Sequence, residues 1–210
     1  MTKYFIFVII LNLAFSSCEK EEDHKPVTAG EYDTDFIFHE FSAPLSIVLI
    51  YDSLTNYYNG ADSIDLNLDG NFDLKIDQQL QIPHLTDDPT NQLYPYCRLI
   101  PSNGLELAVN IQKYPGGLGS YRTVEWIESL NFQDRIDTIS NWSEPNTFRY
   151  MWCYPLDSFV YTYGNWYEIT NSETYIGFRM KVNTDYKYGW IKVNALSRKD
   201  IYFISYAIER

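Results

Sequence analysis

Thr174-Tyr175-Ile176-Gly177-Phe178-Arg179-Met180-Lys181-Val182-Asn183 is the stretch that decides the fold. Ile176, Phe178, Met180 and Val182 alternate with smaller or charged residues. A period of two belongs to a strand with one face buried. Tyr188–Ala195 and Asp200–Glu209 follow closely, so the end of the chain predicts three consecutive strands. The same alternation occurs upstream, in Phe72, Leu74 and Ile76 against Asp73, Lys75 and Asp77, and again in Leu105, Leu107, Val109 and Ile111. Leu45 to Tyr51 is apolar apart from Ser46, which predicts a central strand. Only Tyr121 to Leu130 offers a helical spacing, through Tyr121, Val124, Ile127 and Leu130, and it is short. Short strands separated by Pro, Gly, Asn and Asp predict an all-β fold: an antiparallel β-sandwich, jelly-roll or lectin-like, over residues 34–210.

Composition agrees. Of 210 residues, 45% are hydrophobic and 21% charged, which suits a packed core and excludes global disorder. The 19 Tyr, 12 Phe and 5 Trp favour strands. With 16 Lys and Arg against 28 Asp and Glu, the net charge is −12. That balance argues against a nucleic-acid partner, because phosphate binding draws on basic patches.

The first 17 residues carry one charge, Lys3, followed by an apolar run from Tyr4 to Phe15 broken only by Asn12. The run is too short to span a bilayer, which takes ~20 residues, and has the length of a signal-peptide core. Phe15-Ser16-Ser17-Cys18 resembles a bacterial lipobox, in which the cysteine is acylated and becomes the new N-terminus. The resemblance implies a signal peptide over 1–17, lipidation at Cys18 and a membrane partner reached through that lipid. Cleavage there removes Lys3 and leaves 15 basic residues against 28 acidic ones, a net charge of −13. Cys18-Glu19-Lys20-Glu21-Glu22-Asp23 resembles the acidic export tag of surface-displayed lipoproteins of Gram-negative bacteria. It implies an outer-membrane, cell-surface location. Residues 18–33 are polar without apolar periodicity and are read as a disordered tether.

Asp65-Leu66-Asn67-Leu68-Asp69-Gly70-Asn71-Phe72-Asp73 carries the most specific chemistry. Side-chain oxygens stand at positions one, three, five and nine, with glycine at six, and Asn71 offers its backbone carbonyl. Ca²⁺ takes six to eight hard oxygen ligands, and alternate residues of a tight loop can aim them inward. Asp65, Asn67, Asp69, Asn71 and Asp73 are therefore the candidate ligands of a structural Ca²⁺. An EF-hand is excluded, since Ile76 stands where its bidentate glutamate belongs. The segment resembles the D-x-N-x-D-G-x-x-D-L loops of integrin-type propeller blades and bacterial surface proteins. It occurs once here, which transfers the ion site without the propeller.

Cys97 and Cys153 remain once Cys18 is lipidated. They either bridge, closing a loop of ~55 residues worth about 4 kcal/mol, or stay as two buried thiols. His24, His39 and His84 form no close metal pair, and neither a nucleophile elbow nor a phosphate-binding loop occurs. Gly116-Gly117-Leu118-Gly119 reads as a turn after Pro115. Tyr150, Trp152 and Tyr154, with Tyr161, Tyr163, Trp166 and Tyr167, form either a sugar-stacking face or cross-strand packing, whereas Trp190 is expected in the core.

Tyr175-Ile176-Gly177-Phe178, Tyr188-Gly189-Trp190-Ile191-Lys192-Val193 and Tyr206-Ala207-Ile208-Glu209 resemble the ending of a broad group of bacterial secreted and surface proteins that also carry the acidic loop. The likeness spans roughly residues 63 to 209 and implies surface location and a β-sandwich. Asp52-Ser53-Leu54, Asp62-Ser63-Ile64 and Asp137-Thr138-Ile139 resemble an O-glycosylation sequon of lipoprotein-displaying bacteria. The expected function is a non-catalytic surface binding or adhesion module, its partner a glycan or another surface protein. A polysaccharide-binding lipoprotein is the alternative, and a glycan-active hydrolase stands behind it.

Overall fold

A computed structural model describes residues 26–81, 96–115, 121–139, 141–153, 164, 166, 172–197 and 200–210. Among them there is no helix, and twelve strands form two sheets. In chain order they are β1 (Phe36–Ser46), β2 (Ile50–Asp52), β3 (Tyr57–Ile64), β4 (Leu74–Gln81), β5 (Tyr96–Pro101), β6 (Leu105–Leu107), β7 (Val109–Pro115), β8 (Tyr121–Ile127), β9 (Arg149–Cys153), β10 (Ser172–Val182), β11 (Asp185–Ala195) and β12 (Ile201–Glu209). The five-stranded sheet runs β1-β12-β11-β10-β6 and the seven-stranded sheet β2-β3-β4-β5-β9-β8-β7. Pairing is antiparallel except for a single parallel step, Trp126 with Tyr150, between β8 and β9.

One apolar cluster joins the sheets into a sandwich. Ile176, Phe178, Ile191, Val193, Phe203 and Tyr206 of the first meet Ile64, Leu74, Ile76, Leu99, Ile127 and Met151 of the second. Alternating residues of the three C-terminal segments supply nine of its 21 buried members, as their period requires. Glu106, buried on β6, is answered by Arg179 at 2.6 and 2.8 Å and by the Tyr186 hydroxyl at 3.1 Å.

Four expectations change. Leu105 to Ile111 is not one strand: β6 belongs to the five-stranded sheet and β7 to the other. The chain crosses at Ala108, whose N–H donates to Gly177 while its carbonyl accepts from Glu128. Tyr121 to Ile127 is strand β8, because seven cross-strand pairs with β7 outweigh a short helical spacing. Leu45 to Tyr51 is not central; β1 ends at Ser46, and Ile50 begins the edge strand β2. Residues 26–33 are packed rather than tethering. Val27 and Ala29 are buried, and backbone bonds join Ile136 to Val27 and Ala29 to Asp134. They cover a second cluster on the outer side of the five-stranded sheet, with Leu130, Ile136, Tyr175, Trp190 and Ala207. Two small apolar residues in a polar stretch leave no periodic signature, so only the contact reveals it.

Candidate metal centre in the Asp65–Asp73 loop

The loop joins β3 to β4, whose last and first residues, Ile64 and Leu74, face each other in the core. The Asp73 N–H closes it on the Ile64 carbonyl at 2.9 Å, and Leu66 is fully buried beneath it. Turn chemistry shapes the rest. Asp65 accepts from the N–H groups of Asp69 (3.2 Å) and Gly70 (2.8 Å), Asn67 Oδ1 accepts from Asp69 N–H (2.9 Å), and Asp69 accepts from Asn71 N–H (2.8 Å). Such side-chain-to-backbone bonds are what Asp and Asn contribute to turns. Gly70 sits at φ +90°, a region that disfavours any side chain.

Three distant residues strap the loop to the sandwich. Tyr206 OH donates to the Asp65 carbonyl at 2.7 Å, Ser102 Oγ to the Phe72 and Asp73 carbonyls, and Asn103 Nδ2 to the Phe72 carbonyl and to Asp73 Oδ1. Asp73 is the buried carboxylate of the set; its Oδ2 accepts the Leu66 N–H at 2.9 Å. Burial pushes its pKa up, against the pull of the Leu66 and Asn103 bonds, and the charge of Asp65 pushes the same way. Asp69, fully exposed, is held below its usual value first by the Asn71 N–H. Burial, together with the charges of Asp65 and Asp73, raises Tyr206 to about 12.

Among the described residues, none of the three carboxylates is paired with a lysine or arginine. The donor set is all hard oxygen; Asp69 Oδ1 accepts from both the N–H and Nδ2 of Asn71, while the oxygens of Asp65 accept one N–H each and keep a second lone pair for a cation. The chemistry therefore fits Ca²⁺. The side chains do not yet converge: among the described residues no group of three or more His, Cys, Asp or Glu is gathered as a metal cage. Asp65, Asn67, Asp69 and Asn71 share one hydrogen-bonded turn, while Asp73 points under it.

The other sequence-predicted residues fall apart from this loop. Cys18, His24, His84, Gly116 to Gly119, Tyr154, Tyr161, Tyr163 and Tyr167 lie outside the described residues. Cys97 is a free, buried thiol 3.6 Å from Met151 Sδ, with its pKa pushed up by burial. In the β5–β9 register Cys97 stands opposite Trp152, and Cys153 opposite Tyr96. Bridges across a strand pair join residues that face each other directly, so this register does not present the two cysteines as a pair. The side chains of Trp152 and Cys153 lie outside the described residues. Trp166 is buried, its Nε1–H donating to the Ile127 carbonyl at 3.1 Å, and Trp190 is buried as expected. His39 stacks on Tyr206 at 5.2 Å. Of the three sequon-like triplets, Ser53 and Thr138 are exposed and Ser63 is half-buried in β3.

One constellation had no signal in the sequence. Cross-strand pairing of β4, β5 and β9 aligns Asp77, Arg98 and Tyr150. Arg98 donates twice to Asp77 Oδ2, at 2.6 and 2.8 Å, and its guanidinium lies 4.7 Å from the Tyr96 ring centre and 5.0 Å from that of Phe148. Tyr150 contacts both rings, at 5.9 and 5.3 Å. A shallow depression of about 300 Å³ elsewhere is lined by Pro26, Thr28, Gly30, Glu31, Tyr32 and Phe36. Its carboxylate, Glu31, is engaged by Thr28 and Gln133.

Compared with known proteins, the chain matches no family model, no curated protein and no solved structure.

Proposed function

We propose that the chain is a lipid-anchored surface protein whose β-sandwich is a non-catalytic binding or adhesion module braced by a structural Ca²⁺. The observation that carries the ion is the strapped Asp65–Asp73 loop, with three uncompensated carboxylates in nine residues. Asp65, Asn67, Asp69 and Asp73 would supply side-chain oxygens and Asn71 its carbonyl. The ion would neutralise their mutual repulsion and the desolvated charge of Asp73. Anchoring rests on Lys3, the apolar run and Phe15-Ser16-Ser17-Cys18. Acyl chains hold a protein to a bilayer by about 0.8 kcal/mol per buried CH₂, several chains acting together. Cys18→Ala is expected to move the protein from the membrane fraction to the soluble one. Retention at the wild-type level would refute the anchor.

The Tyr96–Arg98–Phe148–Tyr150 group favours a second reading, capture of a neutral polysaccharide. Its rings and the Asp77–Arg98 pair lie together, Phe148 is 41% exposed, and sugar rings stack on aromatic faces while their hydroxyls bond charged groups. Phe148→Ala is expected to weaken retardation in native gels containing a β-glucan, a xylan or a mannan by roughly tenfold, about 1.4 kcal/mol, without changing the melting temperature. Retardation by none of these, or equal retardation of variant and wild type, would remove this face as the site. Release of reducing sugar, lost on changing one Asp or Glu in a folded protein, would overturn the non-catalytic reading.

A further inference from the structure

The side-chain carbonyl of an asparagine or aspartate is open to attack by the backbone nitrogen of the next residue, most of all when that residue is glycine and no Cβ shields the amide. The attack closes a cyclic imide, and it is one reason asparagine is thermolabile. Three pairs in the chain have this chemistry: Asn59-Gly60, Asp69-Gly70 and Asn103-Gly104. The two asparagine pairs are alike in sequence, and the fold separates them.

Asn59 and Gly60 lie inside β3. Asn59 pairs with Ile50 on one side and Gln79 on the other, Gly60 pairs with Gln78, and a Cβ at Gly60 would strike the Val48 carbonyl oxygen. Asn59 Oδ1 also accepts from Gln79 Nε2 at 2.8 Å. Ring closure there requires the ladder to open on both sides. At Asp69-Gly70 the nucleophile is occupied, since the Gly70 N–H donates to Asp65 Oδ2 at 2.8 Å. The Asp69 carboxylate is ionised at neutral pH and repels an attacking amide anion. Asn103-Gly104 has neither protection. Asn103 is exposed, and the pair is the centre of a tight turn in which Leu105 N–H donates to the Ser102 carbonyl at 2.9 Å. Asn103 stands at φ +52° and Gly104 at φ +76°, positive at both positions as a type I′ turn requires. Among the described residues the Gly104 N–H donates to nothing, while its carbonyl accepts from Lys181 at 3.2 Å.

We infer that Asn103 is a self-modification site, deamidating through Gly104, and that the change cuts one strap of the Asp65–Asp73 loop. Hydroxide takes the Gly104 amide proton and the nitrogen attacks Asn103 Cγ. The Cγ–Nδ2 bond breaks, and ammonia leaves with a proton from water. Water then opens the imide at either carbonyl, leaving aspartate or isoaspartate at this position. No reactant besides water and hydroxide is needed. What is lost is the Nδ2 that donates to the Phe72 carbonyl at 3.1 Å and to Asp73 Oδ1 at 3.3 Å. A carboxylate in its place sets acceptor against acceptor and adds a negative charge beside Asp65, Asp69 and Asp73. The same two bonds hold the leaving nitrogen, so the turn reacts more slowly than a free peptide of this sequence. Only the turn itself has to open, however, and not a sheet. The loop's hold on the sandwich therefore weakens with the age of the chain, whether or not the loop takes an ion.

Incubation of the full chain at mildly alkaline pH, followed by peptide mapping, tests this. The exchange of –NH₂ for –OH is expected at Asn103 at least about tenfold faster than at Asn59, at a rate proportional to hydroxide and with isoaspartate among the products. In denaturant the two pairs should react at comparable rates, because the fold alone separates them. Asn103→Asp, at an exposed position, reproduces the product. It is expected to melt roughly 2–4 °C below wild type, the size of an exposed hydrogen-bonded strap, and to quicken amide exchange over residues 65–73. Equal rates at Asn59 and Asn103 in the folded protein would overturn the inference. So would an Asn103 still intact after roughly a hundred times the period in which it reacts in denaturant, or an Asn59 that stays inert there. An Asn103→Asp variant with the melting temperature and loop exchange of wild type would show that the change cuts no strap, and would overturn it equally.

Discussion

Trp190→Ala is expected to destabilise the domain by about 3–5 kcal/mol, lowering the melting temperature by roughly 6–20 °C for a domain of this size. Trp190 is 2% exposed and is the centre of the second cluster. Tyr175 meets it edge-on at 5.5 Å, Phe38 and Tyr32 lie at 6.2 Å, and its Nε1–H donates to the Glu31 carbonyl at 2.9 Å. Truncation would open a cavity and orphan that carbonyl, undocking residues 26–33 from the sheet. Thermal melting checks the size of the loss. Limited proteolysis checks its place, because cleavage should appear first between residues 26 and 33. A melting curve within 1–2 °C of wild type would show that this layer is not part of the cooperative unit.

Calcium is expected to raise the melting temperature by roughly 3–11 °C at about 10 mM, as follows from a Kd of ~10⁻⁴–10⁻³ M and a mass-action gain of about 1.4–2.7 kcal/mol. The size reflects what the loop contains. Asp65, Asp69 and Asp73 repel one another, and Asp73 is desolvated by burial although the Leu66 N–H donates to it, so a divalent ion would offset a repulsion that the loop's hydrogen bonds alone oppose. Because Ser102, Asn103 and Tyr206 tie the loop to β5, β6 and β12 regions, ordering at the loop is transmitted to the sandwich. Asp69→Ala, an exposed position, should melt as wild type does in chelator and gain nothing from calcium. Ion-free wild type whose melting is indifferent to 10 mM calcium, a concentration about tenfold above the weakest expected Kd, would remove the site.

The ligand positions of this loop were legible because turn chemistry and metal chemistry are both local: Asp65, Asn67, Asp69, Gly70 and Asp73 lie within nine residues. Its straps were not. Ser102 is 30 residues from Phe72, and Tyr206 is 141 residues from Asp65, distances across which a single sequence carries no correlation. The Asp77–Arg98–Tyr150 alignment was hidden for the same reason, since it depends on the register of three strands.

Periodicity alone determined the all-β class and the three C-terminal strands, because alternation along Ser172–Val182, Asp185–Ala195 and Ile201–Glu209 is a property of each strand's own two faces. Tertiary structure decided which sheet each strand joined. Leu105 to Ile111 keeps its alternation while changing sheets at Ala108, and Tyr121 to Ile127 becomes a strand because β7 offers it a complete set of partners. It also decided what is core. Val27 and Ala29, in a polar stretch, are covered by Trp190 and its neighbours, whereas Val48 and Ile50, in the most apolar run of the domain, stand in solvent at an edge. Hydrophobicity reports the gain available from burial. Whether burial occurs depends on which surfaces the rest of the chain brings to meet it.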